Sequence, residues 1–211
     1  SVRLSYTNNS SESMIENSDL ESHNFNLRAF TNMTDKLSVD AKATYFTQEV
    51  TNRSANIGAQ GLLSYVYRTP RNVIMDDLRN YQVDNPSTDD EYKVITYADG
   101  LIGNPYWMTM HDENRVRRNR FLGFVKVDYQ FTDWLNAFVR VGADMTNQRD
   151  KIIKKPGRHL DSDGLLRVGE NSAGELNSEF LVTANYDLAD NLNMIANVGG
   201  NMSKRTYEGM V

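Results

Sequence analysis

The stretch Phe131-Thr132-Asp133-Trp134-Leu135-Asn136-Ala137-Phe138-Val139-Arg140-Val141-Gly142-Ala143-Asp144-Met145 decides the fold. A short polar turn leads into an arm where Leu135, Ala137, Val139, Val141, Ala143 and Met145 take every second position. Asn136, Arg140 and Asp144 fall between them. A period of two puts alternate side chains on opposite faces of an extended chain, so the arm reads as a strand with one apolar and one polar face. The arm before the turn mirrors it: Phe121, Val125, Val127, Tyr129 and Phe131 share a face, with Lys126 and Asp128 opposite. Two such arms around a short turn make a β-hairpin.

The same phrase occurs twice more, as Met33-Thr34-Asp35-Lys36-Leu37 and Leu188-Ala189-Asp190-Asn191-Leu192. Hairpins are therefore expected over about His23 to Gln48, Arg120 to Gln148 and Ser178 to Met202. In the first, Phe25, Leu27 and Ala29 and then Leu37, Val39, Ala41, Ala43 and Tyr45 form the apolar face. In the third it is Phe180, Val182, Ala184, Tyr186 and Leu188, then Leu192, Met194, Ala196, Val198 and Met202. Ser1 to Thr7 also alternates, which gives seven strands.

Each apolar face runs for about ten residues, the length a tilted strand needs to cross a bilayer. The connections are asymmetric: short Asp-centred turns at one end, and about Asn8 to Ser22, Thr51 to Asn119 and Arg149 to Asn177 at the other. Short turns on one side and long loops on the other are the pattern of a bacterial outer-membrane barrel. The expected fold is thus all-β: an antiparallel transmembrane β-barrel segment of about seven strands, with short periplasmic turns and long extracellular loops. Seven is odd, whereas single-chain bacterial barrels have even counts. Both ends are strand-like, so residues 1–211 read as one piece of a larger barrel domain.

Composition narrows the alternatives. No apolar run approaches the eighteen or so residues of a membrane helix. The absence of cysteine removes disulfides, thiolate metal sites and Cys nucleophiles. The net charge of −5 gives no reason to expect nucleic acid. Tyr129, Phe131, Trp134 and Tyr186 lie near the short turns and Phe25, Tyr45, Phe46 and Phe121 towards the long loops, as two aromatic girdles would. The longest connection, about 51–119, is too long to lack internal order. Gly61 to Tyr67 and Ile74 to Tyr81 are expected as short helices around Pro70, and Asn85 to Asp90 as a surface turn.

Several segments together resemble a known family. They are His23-Asn24-Phe25-Asn26-Leu27-Arg28, Thr34-Asp35-Lys36-Leu37-Ser38-Val39 and Tyr45-Phe46-Thr47-Gln48-Glu49-Val50-Thr51-Asn52, then Asn104-Pro105-Tyr106-Trp107, Arg118-Asn119-Arg120-Phe121 and Asp133-Trp134-Leu135. In order and spacing they look like the barrel of the SusC/RagA-like TonB-linked outer-membrane transporters of Bacteroidetes. Members are several times longer, with a plug domain, a TonB-engaging segment and a 22-stranded barrel. The resemblance implies import of oligosaccharides or peptides across the outer membrane, powered through the TonB complex, with a SusD-like lipoprotein as lid. This chain lacks the plug and the TonB-engaging segment, so the activity would belong to the parent protein.

Under that reading the function is transport without covalent chemistry, and neither an enzyme nor a bound cofactor or metal is expected. Arg28, Lys42, Arg140 and Asn193, on the polar faces, are candidates to line the lumen. Tyr65, Tyr67, Tyr81, Tyr97, Tyr106 and Trp107 crowd the long loop. Their rings could stack on sugars or peptide side chains, pack against a lid protein, or hold the loop together. Arg115, Arg117, Arg118 and Arg120 are a basic run at the rim that could meet lipopolysaccharide phosphates or acidic loops, or be a solvated edge. His159, Asp161, Asp163, Gly164 and Glu170 fall on positions of an EF-hand-like frame, but the first position is not Asp and the flanks do not read as helices. His23, His111 and His159 are far apart, and the pairs Asp76-Asp77 and Asp89-Asp90 read as solvated turn residues. Two rivals share the strand pattern: a passive porin-like channel, and a soluble all-β module binding carbohydrate or protein, built as a sandwich.

Overall fold

The computed structural model describes residues 1–53, 62–83, 93–94, 103–156, 163–189 and 191–210. Three long strands come first: β1 (Val2–Glu12), β2 (Asp19–Asn32) and β3 (Leu37–Thr51). The long connection holds α1 (Leu62–Arg68), α2 (Met75–Arg79), a two-stranded ribbon of β4 (Gln82–Val83) and β5 (Lys93–Val94), and α3 (Pro105–His111). Four long strands follow: β6 (Glu113–Thr132), β7 (Leu135–Lys154), β8 (Leu165–Ala189) and β9 (Leu192–Met210). The seven long strands make one antiparallel sheet in the order β1-β2-β3-β6-β7-β8-β9, with each strand beside its neighbour in the chain. The sheet is not closed; β1 and β9 are its edges.

Register carries the apolar pattern from strand to strand. Leu4 lies opposite Leu27, Leu27 opposite Ala43, Ala43 opposite Gly123, and Gly123 opposite Ala143. Val39 faces Val127, Val127 faces Val139, and Val139 faces Phe180. One face of the whole sheet is therefore apolar. A slip of one residue in any pair would turn that strand's apolar set to the other side. Phe46 departs from the girdle expectation, because it pairs with Arg120 on the polar face.

The apolar face is open. Val139 is 53% and Val198 69% exposed, with Val39 half-buried. Among the described residues the buried apolar side chains are Tyr65, Leu78, Pro105 and Trp107, all in the β3–β6 connection. The sheet thus has no core of its own, and no described second sheet covers it. That departs from a sandwich, whose two inner faces would bury these valines against each other.

Strands extend further towards the long-loop end than alternation indicates. The β1–β2 connection shrinks to residues 13–18, the long one runs over 52–112, and the last over 155–164. Most of the expected Arg149–Asn177 loop is ladder: Asn171 pairs with Gln148 and Gly169 with Asp150. Backbone pairing needs no apolar side chain. Where both faces carry polar residues the period-two signal vanishes although the hydrogen bonds continue.

The tight turns owe their shape to threonine. The Thr34 hydroxyl accepts from the Lys36 and Leu37 N–H groups at 3.2 and 3.0 Å. Thr132 accepts from Leu135 N–H at 3.1 Å. Ala189 stands at this position in the third phrase, and Asp190 lies outside the described residues. Register shifts at Gln130/Thr132 and Asp187/Ala189 mark bulges beside the second and third turns.

Candidate functional site

The polar face carries a series of hydrogen-bonded pairs, with Phe124 and Phe138 set among them under Arg140 and Lys126. Arg28 and Asp40 form a two-point pair, Nε to Oδ1 at 3.1 Å and Nη2 to Oδ2 at 2.8 Å. Further along, Arg140 meets Glu179 at 2.8 Å and Lys126 meets Asp128 at 2.7 Å. Asn193 donates to both Asn185 and Asp187 at 2.7 Å. Thr183 donates to Asn197 at 2.8 Å and Asn201 to Asn177 at 3.0 Å. The four lumen candidates Arg28, Lys42, Arg140 and Asn193 all lie on this face: Lys42 opposes Arg28, and Glu179 opposes Arg140. Fixed donors and acceptors on such a wall can exchange with water or a polar solute without rearrangement.

Above the wall sits the loop cluster. The α1 and α2 helices match the two short helices expected near Pro70, within one or two residues. The sequence also held a signal for α3 in Asn104-Pro105. Asn104 is the N-cap, accepting from Tyr106 N–H at 2.9 Å and Trp107 N–H at 3.3 Å, and Pro105 opens the helix with the φ it needs. Asn104 also donates to the Leu78 carbonyl at 2.9 Å, so one buried side chain ties α2 to α3. Trp107 is packed by Tyr81 edge-on at 5.9 Å and by His111 at 4.0 Å. Burial pushes the His111 pKa below its ordinary value, and nearby Lys155 adds to the shift.

Three asparagines clamp this cluster to the sheet rim. Asn17 donates to the Thr109 carbonyl at 3.1 Å and Asn52 to the Asn17 carbonyl at 2.9 Å. Asn114 N–H donates to the Asn52 side chain at 2.9 Å. Asn17 and Asn52 adopt positive φ, 60° and 48°, which asparagine tolerates better than most side chains.

These positions sort the aromatic candidates. Tyr65 and Trp107, 3% and 1% exposed, hold the loop together and present almost no surface to a ligand or lid. Tyr81 and Tyr106 are half-buried, and Arg79 lies 5.7 Å from the Tyr106 ring. Tyr67 is 85% exposed. Tyr97 lies outside the described residues, as do His159, Asp161, the Asp89-Asp90 pair and the turn expected at 85–90. Glu170 sits in β8, ion-paired to Arg149 at 3.3 Å, in a strand where the EF-hand frame needs loop and helix. His23 lies on the apolar side of the sheet, half-buried beside Glu21 at 3.2 Å and Tyr6 at 2.9 Å. Asp76 is exposed next to Arg79 at 3.6 Å.

The basic run divides between the two faces. Arg118 and Arg120 lie on the polar face, bonded to Gln148 at 2.7 Å and Asp144 at 2.5 Å. Arg115 and Arg117 lie on the other side, in line with Phe121, and both meet Glu49, at 3.3 and 2.6 Å. Residues adjacent in sequence point to opposite faces of a strand, so a run that reads as one patch becomes two.

No protein-family model matches this chain, and no curated protein matches it. Among solved structures it is similar to one described as the RagAB peptide importer in the 'open-open' state, at 15% identity and a TM-score of 0.62, over 99% of this chain and 22% of that one. It is also similar to the RagAB peptide importer in the 'closed-closed' state, at 13% identity and a TM-score of 0.59, over 98% of this chain and 23% of that one. The chain spans about a fifth of the length of these solved chains. At such identity the likeness is one of fold, and the seven-stranded sheet is that of a barrel segment.

Proposed function

We propose that this chain is part of the outer-membrane β-barrel of an energy-coupled importer of oligosaccharides or peptides that works with a SusD-like lid lipoprotein. One observation carries the reading: a seven-stranded sheet with an open apolar face on one side and a hydrogen-bonded polar wall on the other. An apolar surface of this extent far exceeds the patches soluble monomers leave in water. Against hydrocarbon it needs no cover, and the polar wall then lines an aqueous interior.

The family resemblance of the hairpins and the fold likeness to structures described as a peptide importer support import, and peptides are the cargo those structures are named for. The wall would conduct polar solute past paired charges, without covalent chemistry. Lid and cargo would meet the loop cluster, with Tyr67 as its most exposed aromatic ring among the described residues. Energy would reach the barrel through the TonB complex and other parts of the parent.

The test is uptake of labelled oligopeptides and oligosaccharides by cells with and without the parent gene, before and after collapse of the proton gradient. Energy-dependent uptake that vanishes with the gene supports the importer. Uptake that survives de-energisation replaces it with a passive channel. Recovery of the parent in the soluble fraction without detergent removes the barrel altogether.

A further inference from the structure

Register lines up three cations on the polar face of the sheet. Arg3 lies directly opposite Arg28, and Arg28 directly opposite Lys42, so the row crosses three adjacent strands. With about 4.8 Å between strands it spans about 10 Å. Like charges set opposite each other repel and cost stability. Arg28 is answered by its two-point pair with Asp40. Among the described residues the side chains of Arg3 and Lys42 have no ion-pair or hydrogen-bond partner, and both residues are exposed.

Charge balance across the face singles out the same two residues. Lys126 is paired to Asp128, Arg140 to Glu179, Arg120 to Asp144 and Arg205 to Glu175, one cation to each carboxylate. With Arg28 and Asp40, these pairs use every described carboxylate of this face between the row of Asn32 and the row of Phe46. Arg3 and Lys42 are left over. Beyond those rows the face carries Asp150 and Asp187 against Arg118, Lys154 and Arg167, so the remaining strand ends bring no surplus of carboxylate.

The row sits deep. Lys42 is five residue steps from Leu37, at the foot of β3. At about 3.3 Å per residue and a tilt near 40° that is about 13 Å, the middle of an apolar band about 25 Å tall. Ionisable groups at such depth face a water-filled interior and mark the path of a solute. Phe124 stands opposite Lys42 on the β6 side and brings an aromatic ring to the same row. Arg28 spends two of its donors on Asp40, and a guanidinium has five. We propose that Arg3, Arg28 and Lys42 form a carboxylate seat on the import path, which favours anionic cargo: Lys42 and the remaining donors of Arg28 take one carboxylate, Arg3 takes a second, and the Phe124 ring lies against the apolar part of the solute. An acidic peptide and a uronate-bearing oligosaccharide both carry that chemistry.

This inference rests on the importer reading proposed above, and the experiment separates the two. Energised cells carrying the full-length parent or a variant are given labelled probes in charge-matched pairs. One pair is a hexapeptide of alternating Glu and Ala and its Gln counterpart; the other is a tetragalacturonate and its methyl ester. Uptake is scaled to the amount of parent in the outer membrane. Removing either cation relieves repulsion, so assembly should be undiminished. The wild type should take up the charged member of a pair faster. Lys42→Gln or Arg3→Gln should lower the charged-to-uncharged ratio about threefold, and the double variant roughly tenfold, the scale of solvated ion pairs. Lys42→Arg should keep the ratio. An effect confined to the peptide pair, or to the sugar pair, supports the seat and names the source of the carboxylate. An unchanged ratio in the double variant, or an equal loss for charged and uncharged probes, overturns the seat and leaves the importer standing; the equal loss would assign the two cations to contacts within the parent. Absence of gene-dependent uptake for all four probes removes the importer reading, and the seat with it.

Discussion

Placing a charge at successive depths on the apolar face of β7 tests the orientation of the sheet. Leu135 and Met145 are ten residue steps apart. At about 3.3 Å per residue and a tilt near 40° this spans about 25 Å of depth, the height of the apolar band of such barrels. Val141 is close to the middle, Met145 at the rim, and Asn147 beyond it. Arginine should therefore destabilise the folded protein by about 2–4 kcal/mol at Val141, about 0–1 kcal/mol at Met145 and close to nothing at Asn147. If the face met water the gradient would disappear. Val141 is 45% and Met145 53% exposed, and surface substitutions at such sites fall within about 0.5 kcal/mol. The assay is equilibrium unfolding by guanidinium of the parent folded into phospholipid vesicles, followed by tryptophan fluorescence. Equal, small effects at all three depths would refute the reasoning, whatever the absolute stability.

Asn104→Ala removes a cap and a cross-helix bond at once, so it should destabilise the loop cluster by about 1–3 kcal/mol, read as faster proteolysis between β3 and β6 with barrel assembly unchanged. Gly123→Val should impair assembly, because a Cβ there would lie 2.8 Å from the Lys42 carbonyl; overpacking of this kind costs about 1–3 kcal/mol, measurable as a lower guanidinium midpoint in vesicles. The His111 pKa is lowered in the fold, so the neutral ring is favoured and its contribution to loop stability is fully present above 6.5, the ordinary value. That contribution is lost as pH falls through the lowered folded value. Corrected for the intrinsic pH dependence of amide exchange, α3 should be less protected at pH 5 than at pH 7.5, and His111→Gln should flatten the difference; greater protection in acid would contradict the sign.

Local chemistry made some elements readable. Alternation from Leu135 to Met145 identifies a strand and its faces because a pleated chain has no other way to order side chains. Around Pro70 the short helices were also legible, and the Asn104-Pro105 start of α3 was readable from capping rules though it was not expected. Two features were not. Towards the long-loop end the strands persist with polar residues on both faces, and only backbone pairing such as Asn171 with Gln148 reveals them. The basic run Arg115 to Arg120 looks like one patch in a line of letters and is two in space.

The sequence by itself determined the all-β class, the hairpins and which side of each strand is apolar, since these depend on neighbours within a few residues. Tertiary structure decided what depends on pairing across the chain. It aligned seven apolar faces into one open surface, placed Arg117 against Arg149, and buried Tyr65 and Trp107 while leaving Tyr67 free. Strand register and loop packing are set by contacts between residues tens of positions apart. No local pattern encodes which of several similar rings will be enclosed.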